Sequence, residues 1–246
     1  MALRIFISIA ITLLLNGCGK EQWDDCITST GPMRTEIRQL ASFHMVDLED
    51  RIDLVLEHLP SSSIEVEAGR NLMDQVITEV RDGVLHIRND NRCNWVRSFK
   101  PRITVKVPIE VVDKLILRGT GNVTSTDTVK QDVFEVEQWM AIGTTTLTVD
   151  VNAVYIGLHT GAGDVVLRGR ASENANLYSG IMGTIDASEM RAHSVNINNS
   201  GIGDLRCWAE VELNVAIRDA GDVHYRGDPI FVDTQITGSG SLIKID

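Results

Sequence analysis

Apolar and polar residues alternate along most of this chain with a period of two. Leu213, Val215 and Ile217 form one such run, and Val195 and Ile197 another. Earlier, 43–48, 52–56, 64–67, 84–87 and 103–107 alternate in the same way. A two-residue period places every second side chain on one face of a strand, so the pattern predicts β-structure. No helical apolar stripe of useful length follows Asn71–Val80, and 71–76 is expected to form one helical turn.

A second, longer period is superimposed on the first. Gly119-Thr120-Gly121-Asn122-Val123, Gly161-Ala162-Gly163-Asp164-Val165 and Gly201-Ile202-Gly203-Asp204-Leu205 share one motif. Variants of it recur, and its second glycine falls at 121, 143, 163, 183, 203, 221 and 240. Seven copies at intervals of 18 to 22 residues mark a stacked repeat. Strand periodicity within each copy makes the repeat one coil of a β-solenoid, with short strands and a tight turn at the glycines. Glycine is needed there for positive φ or for close approach of neighbouring backbones.

Stacking sets equivalent residues about 4.8 Å apart. Val123, Val165, Ile185, Leu205, Val223 and Leu242 are expected to form one inward column. Leu147, Leu167, Ala187, Cys207 and Tyr225 are expected to form a second. Residues 119–246 are thus read as regular coils. Residues 33–118 are read as a less regular β-rich part of the same solenoid, a separate sandwich being the alternative. The last coil is expected to be short and little capped, with its edge exposed.

The first seventeen residues have the form of an export signal. Arg4 supplies a positive start, and 5–15 is an apolar run too short to span ~30 Å of hydrocarbon. Leu15-Asn16-Gly17-Cys18 resembles a lipobox, so Cys18 is expected to be the acylated first residue of the mature protein. Two or more acyl chains would make anchoring effectively permanent. Residues 18–32 then form a tether. Lys20, Glu21, Asp24 and Asp25 within it resemble the acidic signals that direct some lipoproteins to the outer face of the outer membrane, or are simply a charged spacer. The expected location is the outer membrane, on its periplasmic or cell-surface side.

Removing Arg4 with the signal leaves 22 basic against 34 acidic residues. Such a balance argues against nucleic acid, which requires clustered cations. Export permits disulfides. With Cys18 acylated, Cys26 and Cys93, both in polar irregular segments, are expected to pair. Their bridge would contribute ~4 kcal/mol on the chain-entropy view. Cys207, within a strand pattern, is expected to be a buried free thiol.

Several local stretches carry a family resemblance. They are 43–46 followed by 52–56, then 66–72 with 78–87, then Cys93-Asn94-Trp95-Val96-Arg97-Ser98, and finally the run of glycine turns. Together they resemble the auto-transporter adhesin head GIN domain family of envelope lipoproteins, over residues 33–246. The resemblance implies a right-handed parallel β-helix and an adhesin-like role, and brings no catalytic residues. Turns at Ala141-Ile142-Gly143, Gly180-Ile181-Met182-Gly183 and Asp219-Ala220-Gly221 depart from the family's usual Gly-Ser-Gly.

The residue after each second glycine is polar: Asn122, Thr144, Asp164, Thr184, Asp204, Asp222 and Ser241. In register they form a ladder. Such side chains either hydrogen-bond the turn backbone or offer oxygens to Ca²⁺ or sugar hydroxyls. The first reading is preferred, because the nonapeptide pattern of calcium-binding solenoids is absent. His44, His58, His86, His159, His193 and His224 show no zinc-site spacing. No metal or cofactor is therefore expected. Many β-helices act on polysaccharides, and Asp164, Asp204 and Asp222 are the carboxylates such an enzyme would use, but Lys and Arg are scattered through the coils. The favoured reading is a non-catalytic scaffold or adhesin-like surface for an extended partner, a glycan or another envelope protein. Trp139, Tyr155, Tyr178 and Trp208 are its candidate contacts. A calcium-stabilised structural role is a further alternative.

Overall fold

The computed structural model describes residues 29–91 and 102–246. Cys18, Cys26 and Cys93 lie outside the described residues. The chain forms one continuous sheet wound into a β-solenoid. Its strands are β1 (Met33–Gln39), β2 (Met45–Leu48), β3 (Ile52–Glu57), β4 (Ser63–Gly69), β5 (Val76–Arg81), β6 (Val84–Asn89), β7 (Ile103–Pro108) and β8 (Lys114–Leu117). They continue as β9 (Val123–Val129), β10 (Val133–Ala141), β11 (Thr144–Gly161), β12 (Asp164–Ser179), β13 (Ile185–Asn199), β14 (Leu205–Ile217), β15 (Val223–Arg226), β16 (Phe231–Ile236) and β17 (Leu242–Lys244). A 3₁₀ turn, Met73–Gln75, occupies the stretch read as helical.

Each regular coil has two legs. The long strands β11 to β14 run through both and shift register where they bend, as between Val151 and Ala153. One sheet face, face A, stacks β8, β10, the second halves of β11 to β14, and β16. Face B stacks β9, the first halves of β11 to β14, β15 and β17. The glycine corners join the end of each A leg to the next B leg.

The first expected column is present in register: Val165 against Ile185, Ile185 against Leu205, Leu205 against Val223, and Val223 against Leu242. Thr145 fills the place between Val123 and Val165. It is buried, and Gln138 Nε2 donates to its hydroxyl at 3.3 Å. Leu147, Leu167, Ala187 and Cys207 are buried, and Tyr225 is partly buried at the top of that column. Apolar burial of this kind stabilises by about 25 cal/mol per Å². It also pushes the Cys207 thiol up to about 12, so this cysteine stays protonated and inert.

Close approach, not positive φ, explains the second glycines. A Cβ on Gly203 would lie 2.1 Å from the carbonyl oxygen of Gly183, and one on Gly221 would lie 2.2 Å from that of Gly203. The first position of the motif needs glycine only in alternate coils. Gly161, Gly201 and Gly238 sit over Ala141, Ile181 and Asp219, again near 2 Å from the carbonyl below. The turns that depart from Gly-Ser-Gly are thus the lower members of tight pairs.

The N-terminal part joins the same sheet, but not in chain order. β2 lies between β6 and β8, and β3 lies between β7 and β9, all parallel. Beyond them, antiparallel pairings β1–β4, β4–β7 and β5–β6 close that end. At the other end, Val232 and Ile236 stack on buried Leu213 and Ile217 but remain 47% exposed.

Candidate functional site

The polar ladder singled out by the sequence links successive coils. Asn122 Oδ1 accepts the backbone N–H of Thr144 at 3.1 Å, and Asp164 Oδ1 accepts that of Thr184 at 2.8 Å. Asp204 does the same for Asp222, and Asp222 for Ser241. Each Asx side chain therefore bonds the equivalent residue one coil on, rather than its own turn. Asp53 starts the series by accepting from Asn122 N at 2.8 Å. It escaped notice because its coil precedes the glycine repeat. The carboxylates expected to serve a polysaccharide enzyme, Asp164, Asp204 and Asp222, are engaged in holding coils together. Asp204, Asp222 and His224 also bring ligand atoms within 4.8 Å of one another and are the described residues best placed to hold a metal.

The outer side of face A carries a different arrangement. Two outward columns run along the solenoid axis. One is Glu135–Tyr155–Asn176–Asn196–Asn214–Asp233, and the other is Glu137–Gly157–Tyr178–Asn198–Ala216–Gln235. Together they line a groove of about 460 Å³. Small side chains at Gly157 and Ala216 lower its floor. A Cβ on Gly157 would meet His159 Nε2 at 2.6 Å, so glycine lets that imidazole fold back over the sheet. His159 then contacts Glu137 at 2.7 Å, stacks on Trp139 with centroids 4.0 Å apart, and tilts against Tyr178 at 5.4 Å.

The asparagines form an amide ladder. Asn214 Nδ2 donates to Asn196 Oδ1 at 3.0 Å, Asn196 Nδ2 to Asn176 Oδ1 at 3.2 Å, and Asn176 Nδ2 to Asn174 Oδ1 at 2.6 Å. At the near end, Glu135 and Glu137 are neighbours on one strand face, and Lys114 reaches Glu135 at 2.9 Å. Burial, then the neighbouring Glu137 carboxyl, raise the Glu135 carboxyl. Burial opposes ionisation of Glu137 as well, but the neighbouring Glu135, His159 and Lys114 hold it below the usual range. Glu135 is therefore the member of the pair that holds a proton more readily.

Of the four aromatic candidates, Tyr155 and Tyr178 line the groove and Trp139 backs its wall. Trp208 belongs elsewhere: it pairs across from Arg191, whose guanidinium lies 4.5 Å over the indole. Asn176, Asn196 and Asn214 were missed by sequence reasoning. Their spacing of 20 and 18 residues, equal to the local coil repeat, was the available signal.

No curated protein matches the chain. Among solved structures, it is similar to one described as a putative adhesin from Bacteroides fragilis, at 23% identity and a TM-score of 0.78, covering 87% of this chain and 97% of that one. It is also similar to one described as a putative lipid binding protein from Parabacteroides distasonis, at 18% identity and 0.66, covering 89% and 98%. A third, described as a putative adhesin from Parabacteroides merdae, matches at 19% identity and 0.61, covering 89% and 98%. At these identities the likeness establishes the fold. The sequence profile described as "putative auto-transporter adhesin, head GIN domain" matches residues 42–229, and the chain belongs to that family.

Proposed function

We propose that this protein is an exported envelope lipoprotein, anchored in the outer membrane through acylated Cys18, that binds polysaccharide non-catalytically along the face A groove. The observation that carries this reading is the groove's combination of exposed ring, shaped apolar floor and preset amides. Tyr155 is 42% exposed, and Tyr178 and His159 form a wall beside the asparagine ladder. Aromatic rings offer apolar area with a polar tip, which suits sugar rings, while convergent amides set orientation. The family's adhesin-like character supports a binding role at the envelope.

A non-catalytic role is supported by the carboxylates themselves. Glycoside hydrolases commonly place two carboxyls ~5 Å or more apart. Glu135 and Glu137 instead sit two residues apart on one face of a single strand, and the ladder aspartates accept backbone N–H groups.

The test is capture of the full mature protein on a panel of immobilised polysaccharides, with product release measured in parallel. Binding without turnover, lost in Tyr155→Ala and in Ala216→Lys, is the expected result. Binding that survives both changes, or sugar release that disappears in Glu135→Gln, overturns it. Labelled palmitate should be incorporated by the wild type and not by Cys18→Ser.

A further inference from the structure

Resting on that reading, we infer that the groove takes an uncharged linear glycan, laid parallel to the solenoid axis with about one pyranose per coil. The direction follows from the register. Both groove columns cross six successive strands of face A, so the long dimension runs up the stack, across the strands. Equivalent side chains recur about every 4.8 Å. That interval is close to the advance of an extended pyranose chain per sugar, so successive rings meet one side chain of the column per coil, the same amide at Asn176, Asn196 and Asn214.

Hydrogen-bond accounting gives the ligand class. An asparagine amide has two N–H donors and two acceptor lone pairs. Asn196 uses one donor on Asn176 and one lone pair on Asn214. Asn176 uses one donor on Asn174 and one lone pair on Asn196. Each is left with one donor and one acceptor, the complement of a hydroxyl, which both gives and takes. Asn214 donates to both Asn196 and Glu212, leaving its oxygen to accept. The ladder bonds also hold each amide in place, so little rotamer freedom remains to be lost on binding.

Charge excludes the other glycan classes. The groove is lined by Glu135, Glu137 and Asp233 and by no Lys or Arg. Its one cationic candidate, His159, already contacts Glu137. Lys114 is taken up by Glu135, so a uronate, sulfate or phosphate chain would meet three carboxylates and no lining Lys or Arg left to pair with it. The carboxylates do not form a continuous track for a polycation either, because the middle of the column is amide.

The experiment is titration calorimetry of the full mature protein against three length series, each from two to six units. They are neutral β-1,4-glucan oligomers, galacturonan oligomers and glucosamine oligomers. Affinity for the neutral series should rise with each added sugar to about five or six units and change little with salt. Asn196→Ala should weaken the hexamer roughly tenfold and the dimer less. Ala216→Lys, which raises the floor without touching the ladder, should do the same, with melting curves confirming that both fold. Binding restricted to a charged series, or affinity independent of length, overturns this inference and leaves the polysaccharide-binding role standing. If none of the neutral oligomers binds, the inference falls as well. The binding role then falls with it only if the immobilised polysaccharides are also not captured.

Discussion

Asp204 and Asp222 occupy consecutive coils, and Asp204 Oδ1 accepts the backbone N–H of Asp222 at 3.0 Å. The other oxygen of Asp204 lies 3.7 Å from His224 Nε2. One carboxylate thereby offsets the closeness of its neighbour by satisfying that neighbour's main chain.

Because the bond needs only an acceptor oxygen, Asp204→Asn should be close to neutral. Asn122 plays the same part toward Thr144 in the native chain. Asp204→Ala should cost about 1 kcal/mol, the low end for a half-exposed charge-assisted bond. Urea denaturation would measure both. Melting of the wild type should not respond to calcium or to chelator. A calcium-dependent rise that vanishes in Asp204→Ala would make the Asp204–Asp222–His224 group a metal site.

Gly203→Ala should be far more damaging than its size suggests. The added methyl would sit 2.1 Å from the Gly183 carbonyl, and backbone on both coils would have to separate. A loss of roughly 3 kcal/mol is expected, the upper end for overpacking. Ile202→Ala, at the 55% exposed tip of the same corner, should stay within about 0.5 kcal/mol. Equal effects at the two positions would mean that corner contact does not hold the stack together.

The corner is also where the sequence was most informative. Glycine, then a polar residue, then an inward aliphatic recurs so regularly that Val165, Ile185, Leu205, Val223 and Leu242 could be aligned before any coordinates. Thr145 completes that column although it is polar, because Gln138 satisfies its hydroxyl inside. Chain order in the N-terminal part was not legible. Pairing β2 with both β6 and β8 spans unequal separations and leaves no period to read. The groove was half legible: Tyr155, Tyr178 and Trp139 drew attention as aromatics. The asparagines looked like ordinary strand-surface residues until register set them side by side.

His58 gives a pH dependence whose sign follows from its partners. The imidazole bridges Glu110 through Nδ1 and Asp127 through Nε2, the latter at 2.8 Å. Hydrogen bonds to Glu110 first, then Asp127, raise its pKa above 6.5. A raised folded value means the contribution is complete below 6.5 and fades as pH climbs through the folded pKa. The wild type should therefore lose a small, salt-sensitive increment of stability as pH rises beyond 6.5, and His58→Gln should not. NMR titration should place the His58 transition above that of exposed histidine. A midpoint at or below 6.5 would contradict the bridge.

Asn199 provides the strongest expectation for a single polar side chain. It is wholly buried inside the glycine corner. Its Nδ2 donates to the carbonyls of Gly203 and Gly221, both at 3.0 Å, and its Oδ1 accepts from Gly201 N at 3.2 Å. One amide therefore satisfies backbone groups on two successive corners. Asn199→Ala leaves those groups without water or partner, and about 3 kcal/mol should be lost. Asn199→Asp separates packing from hydrogen bonding, because a carboxylate fills the same volume but cannot donate. A neutral carboxylic acid can donate one bond, so burial and the facing carbonyls should raise the pKa of the introduced acid well above the ordinary ~3.9. The variant should then be most stable at low pH and weaken as pH rises through that value, a slope absent from Asn199→Ala. Denaturation midpoints across pH 4 to 7 would resolve the two. Parallel profiles would show that Asn199 serves the corner by filling space rather than by bonding it.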